Sequence, residues 1–126
     1  TLTAVYWGAN IAGHWFLLQA AGVVGPDGQD LGLVQAAAVM SVLAIGIILP
    51  AGPGFAGNFE AAARLGLGLF VATEILLTRG AAWTLMLHSL TLVLQAGIGL
   101  AFLATGQVSL GRALAADPYA QAEQSP

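Results

Sequence analysis

The 126-residue chain is 58% hydrophobic and 7% charged, carries a net charge of −3 and contains no cysteine. A water-soluble domain holds about 25% charged residues, so a mean hydropathy of +0.85 excludes an ordinary soluble globule and places the chain in a membrane. The thin negative balance gives no basis for a nucleic-acid partner or a polybasic lipid patch, and the lack of cysteine excludes disulfides, thiolate nucleophiles and cysteine metal sites.

At roughly 20 apolar residues per helical crossing, the length accommodates about four or five membrane-crossing segments. The expected architecture is all-α, a polytopic transmembrane bundle over residues 1–106, followed by a polar tail over 107–126 that reads as disordered. The first apolar stretch, residues 4–24, starts almost at the opening Thr1. No basic n-region or small-residue cleavage site accompanies it, so the sequence reads as a piece of a longer protein. Gly25-Pro26-Asp27-Gly28-Gln29-Asp30 then forms a short exposed connection. The second stretch, residues 31–49, is uncharged and stops at Pro50. A third covers residues 58–78, and Arg79-Gly80 separates it from a fourth at 81–105. The third either spans as one helix, with Asn58 as N-cap and Glu60 at the positive end of the dipole, or forms a re-entrant pair that dips in over 53–64 and returns over 65–78. Only Arg64, Arg79 and Arg112 bear on orientation. The acidic 25–30 loop, free of basic residues, is expected outside, with the Pro-Gly segment and the tail on the cytoplasmic side.

Residues 50–64, Pro50-Ala51-Gly52-Pro53-Gly54-Phe55-Ala56-Gly57-Asn58-Phe59-Glu60-Ala61-Ala62-Ala63-Arg64, interrupt the lipid-soluble pattern. Proline removes a backbone donor and glycine weakens a helix, so this stretch lacks the regular hydrogen bonding that lipid exposure demands. A broken or re-entrant segment lined by protein or water follows. At about 100° per helical residue, Thr84, His88, Thr91 and Gln95 share one face of the fourth stretch, and Thr3, Tyr6, Asn10 and His14 share one side of the first. Glu60, Arg64, Glu74 and Thr78 make a third line if 58–78 is one helix. A charge at a helix centre costs about 2.5–3.5 kcal/mol on insertion scales, so these groups need compensation. Glu60 and Arg64 have the i, i+4 spacing of an ion pair. Glu74 and Arg64 also have a simpler outlet at the interface.

His14 and His88 share no short ligand motif with Glu60 or Glu74, so ordinary interhelical hydrogen bonding is favoured over a metal site. Ser41, Ser89 and Ser109 have no nucleophile motif, and the glycines at 52–57 are not followed by the Lys-Ser or Lys-Thr of a phosphate loop. No catalytic residue and no cofactor is expected. Trp7, Trp15 and Trp83 read as interface anchors. Gly8, Gly13, Ala36, Ala37, Ala38, Gly66, Gly68, Gly97 and Gly99 read as points of close helix approach.

A span ending in Leu49-Pro50, followed by Pro53-Gly54-Phe55-Ala56-Gly57-Asn58-Phe59-Glu60 and an Ala- and Gly-rich helix, resembles the signature of the lysylphosphatidylglycerol synthase transmembrane family, also called flippase-like. The helix carrying His88 resembles that family's final helices. The resemblance runs to about Gly106 and corresponds to the C-terminal part of the family domain, although Phe55 and Ala56 stand where the commoner motif has a further glycine. It implies a protein of a prokaryotic cytoplasmic membrane that handles lipid or a lipid-linked molecule. No aminoacyl-transferring domain accompanies it here, so translocation or lipid binding is implied rather than catalysis. The head-group set on this reading is Pro53, Gly54, Gly57, Asn58, Glu60, Arg64 and His88, with helix N-terminal amides and Arg64 facing an anion. Its partners are membrane lipids together with the rest of a longer chain or other membrane helices. The competing class is a structural subunit or anchor of a larger membrane complex, and a third is a membrane enzyme whose catalytic residues lie elsewhere.

Overall fold

The computed structural model describes residues 1–50 and 53–105, and its chain divides into two compact units, Thr1–Leu90 and Thr91–Pro126. Ala51, Gly52 and the expected tail lie outside the described residues, as does Arg112. Among the described residues the protein is all-helical, with an isolated bridge between Val24 and Asp30 closing the acidic turn.

Helix α1 (Leu2–Ala20) ends where Gly22 takes φ +63°, a left-handed conformation open to glycine at little cost. The connection that follows is fixed from α1: Trp15 Nε1 and Gln19 Nε2 both donate to the Leu31 carbonyl, at 3.0 and 2.9 Å. Helix α2 (Leu33–Gly46) stops short of the residue 49 expected from its apolar run. A 3₁₀ turn (Pro53–Phe55) and α3 (Asn58–Gly68) come next. The last helix, α4 (Thr73–Ala104), contains a π-turn over Leu76–Gly80.

Two boundaries depart from the expectation. Residues 58–78 do not form one helix, because α3 ends at Gly68, and the break that the re-entrant alternative put between Arg64 and Leu65 falls four residues later. The Phe70 and Val71 amides both bond the Leu67 carbonyl, and Val71 is buried at this turn. The turn residues 69–72 include no proline or glycine and follow directly on Gly68. Arg79-Gly80, expected as a separator, lies inside α4, where the π-turn absorbs the irregularity and Arg79 Nη1 donates to the Gly22 carbonyl at 2.8 Å.

The core of the first unit joins Leu18, Val39, Leu43, Phe59, Ala63, Leu67 and Trp83. Trp83 is fully buried and its ring centroid lies 6.2 Å from that of His14, so it is a core residue rather than an interface anchor, whereas Trp7 is exposed. Helices α2 and α3 meet through small residues. A Cβ at Gly46 would overlap the Ala62 Cβ, and one at Gly66 would sit 3.3 Å from the Val39 backbone. In the second unit, residues 91–104 are helical and expose Val93, Leu94, Ile98, Leu100 and Phe102.

Among the described residues, one helix, α4, is long and apolar enough to cross a membrane. At 1.5 Å per residue, α2 is about 21 Å long and α3 about 16 Å, against a hydrocarbon core of about 30 Å. Helix α1 has the length, but Asn10, His14 and Gln19 dilute its hydropathy. The all-α class expected from the sequence is present among the described residues, while the polytopic bundle expected with it is not shown by these helices.

Candidate functional site

The Pro-Gly segment folds into a tight left-handed path. Gly54 has φ +71°, Phe55 φ +58° and Gly57 φ +87°. Glycine reaches such angles readily, while a bulky residue such as Phe55 does so at a conformational cost. This path aims the Gly57 N–H along α3, where Glu60 Oε2 accepts it at 2.7 Å. Gly57 is thus the N-cap of α3, and Glu60 turns back to cap it, as in half of a capping box. Asn58, expected as the cap, is the first helical residue instead. Its Nδ2 reaches the carbonyls of Leu49 and Pro50 at 3.2 and 3.4 Å, tying the two ends of the segment together.

His88 approaches from α4, one turn after Thr84. Its Nδ1 lies 2.6 Å from Glu60 Oε1 and its Nε2 lies 2.8 Å from the Gly54 carbonyl oxygen. The ring stacks on buried Phe59, with centroids 4.4 Å apart and planes 18° from parallel. One imidazole therefore holds α4 to both the start of α3 and the loop before it. Thr84 is buried and its hydroxyl donates to the Gly80 carbonyl at 2.8 Å.

The Glu60–Arg64 spacing does not produce an ion pair. The capping bond draws the carboxylate toward the start of α3, His88 takes its other oxygen, and Arg64 lies one turn further along. Arg64 has no ion pair or hydrogen bond among the described residues and is exposed. It lines a cleft of about 340 Å³ with Glu60, Thr84 and the apolar Leu76, Leu77, Ala81 and Leu85. A cavity of this size suits a small head group, and its walls suit aliphatic chains.

Of the head-group set, Gly54, Gly57, Glu60 and His88 form one hydrogen-bonded cluster, Asn58 bonds the Leu49 and Pro50 carbonyls instead, Pro53 opens the 3₁₀ turn, and Arg64 stands beside the cluster in the cleft. The Gly57 amide, expected to face an anion, is occupied by Glu60. The expected polar faces divide. Thr84 and His88 point inward, but Gln95 is exposed. Asn10 and His14 spend hydrogen bonds on carbonyls one turn back in α1, at 2.9 Å each. Glu74 and Thr78 lie on a different helix from Glu60, and Thr78 donates to the Glu74 carbonyl at 2.7 Å. Sequence reasoning missed Phe59 as the base for the imidazole and Leu76 and Leu77 as cleft walls. The aromatic immediately before Glu60 was a usable signal for the first, while the leucines were hidden by the expected break at Arg79-Gly80.

Among the described residues, no three His, Asp or Glu side chains are placed to hold a metal ion. No family model, curated protein or solved structure matches the chain.

Proposed function

We propose that the chain is a flippase-like membrane domain that binds or translocates a lipid or lipid-linked molecule, with Arg64 holding its anionic head group. The observation that carries this reading is the charge balance of the cleft. The neighbouring carboxylate is already engaged by His88 and the Gly57 amide, and the guanidinium has no described partner. A cation among leucines favours a ligand that is anionic at one end and aliphatic at the other. On this reading α1, α2 and α3 share the bilayer with α4, and the irregular 53–57 segment is tolerated there with the help of two bonded backbone groups, the Gly57 N–H on Glu60 and the Gly54 carbonyl on His88. The exposed Leu2, Val5, Phe16, Val34, Ile45 and Leu85 give these helices an apolar exterior.

The test is a head-group accessibility assay in vesicles containing phosphatidylglycerol, with membrane insertion and folded yield measured in parallel. Arg64→Ala is expected to lower binding or translocation about tenfold to a hundredfold, the equivalent of roughly 1.5–3 kcal/mol for a hydrogen bond to a charged group. Insertion is expected to be unchanged. Arg64→Lys keeps the charge but loses the planar fork, so a partial defect is expected. Normal translocation by well-folded Arg64→Ala rejects the role. A loss of yield alone supports the competing reading, a structural subunit of a larger membrane complex.

A further inference from the structure

Both ring nitrogens of His88 face acceptors. The Gly54 carbonyl has no proton to give, and neither has an ionised Glu60. Two hydrogen bonds at 2.6 and 2.8 Å therefore require a proton beyond the neutral imidazole and the carboxylate. That proton resides on Nδ1, making an imidazolium beside a carboxylate, or on Oε1, making a carboxylic acid beside a neutral ring. In either form the pair has no net charge, and Glu60 Oε2 still accepts from Gly57.

We propose that the Glu60–His88 pair is a proton-binding site coupled to the Arg64 cleft, so that the protein takes up a proton together with an anionic head group. The inference rests on the head-group reading of that cleft. With the proton in place, the cleft carries the single positive charge of Arg64. Without it, Glu60 and His88 together carry −1, which cancels Arg64 one turn away on α3. One of the two His88 bonds is then lost. The bond to a carboxylate is the stronger, so the Gly54 carbonyl is released and with it the tie between α4 and the 53–57 loop. Loss of the proton thus weakens anion binding and frees the loop, and by reciprocity anion binding draws the proton in.

Other charged groups do not supply this effect. Helix α2, packed on α3, has no ionisable side chain. His14 of α1 sits against Trp83 and bonds the Asn10 carbonyl. On α4, Arg79 is directed to the Gly22 carbonyl and Glu74 is exposed in the first turn. Of the residues lining the cleft, Glu60 and Arg64 are the ionisable ones.

The experiment uses the full chain in zwitterionic detergent and short-chain phosphatidylglycerol, a phosphate diester whose charge is constant over the pH range used. Affinity is measured at pH 5.5, 7 and 8.5, and proton uptake by calorimetry in buffers of differing ionisation enthalpy. In the wild type, affinity is expected to fall about tenfold as pH rises over this range, with net proton uptake on binding at the upper end. Glu60→Gln offers an amide N–H in place of the shared proton and keeps an oxygen for Gly57. It is expected to bind at pH 8.5 more tightly than the wild type does, without the pH dependence. Arg64-dependent binding with no pH dependence and no proton uptake overturns the coupling and leaves the head-group reading standing. Binding that ignores Arg64→Ala, or no binding at any pH, overturns both. Should Glu60→Gln fail to fold, proton uptake by the wild type decides alone.

Discussion

Gly57 combines φ +87° with ψ −53°, a backbone state that side-chain-bearing residues rarely enter, and its N–H is the one that Glu60 accepts. Gly57→Ala is expected to destabilise the loop by about 1–3 kcal/mol, seen as a lower unfolding temperature and a weaker Arg64-dependent affinity. Nothing crowds the position, so the penalty is conformational rather than steric. Gly54 and Gly57 could be singled out from sequence because glycines clustered just after Pro50 and Pro53 interrupt an otherwise apolar, helix-forming chain. The partner of Glu60 could not. Spacing alone offers Arg64, four residues on, but the carboxylate is fixed by a backbone amide three residues back and an imidazole 28 residues ahead. Local periodicity carries no information about the second of these.

The contact between α2 and α3 depends on missing side chains. Gly46→Ala is expected to push the two helices apart, because its methyl would occupy the position of the Ala62 Cβ and neither backbone has slack. Overpacking of this kind costs about 1–3 kcal/mol, and thermal unfolding in detergent measures it. The companion change Ala62→Gly should recover part of the loss, since it clears the same space. The small-residue pattern in the sequence named Gly66, which faces the Val39 backbone, and Ala36, which is fully buried. It gave equal weight to Gly8, Gly13, Gly97 and Gly99, which have open space where a Cβ would stand. A helix turns every residue in some direction, and composition does not say which directions have neighbours. The turn after Gly68 was illegible for a related reason. Phe70 and Val71 extend an apolar run that reads as helix, and only their packing bends it.

At the scale of the whole molecule, apolar composition was legible at once, and α4 carries it as an apolar helix of 32 residues. Helix ends were less legible, because apolar runs do not reveal where a helix stops short, as α2 does at Gly46.

The π-turn over Leu76–Gly80 gives α4 two angular phases. It places one more residue in a turn than an α-helix holds, so everything after Gly80 is rotated by about 100° from where a regular helix would put it. Arg79 reaches Gly22 from within the π-turn, while Thr84 and His88, after it, meet the cleft and Glu60. Removing a single residue, such as Thr78, lets the helix become regular while everything after Gly80 keeps its present phase, so His88 still meets Glu60 and Arg64-dependent binding is expected to be retained. Inserting one alanine between Ala81 and Ala82 of the intact chain instead turns His88 about 100° away from Glu60 with no loss of helical content. Circular dichroism is then expected to be unchanged while Arg64-dependent binding disappears. In a helix built this way, the phase between two anchors constrains the chain more tightly than the number of residues that separates them.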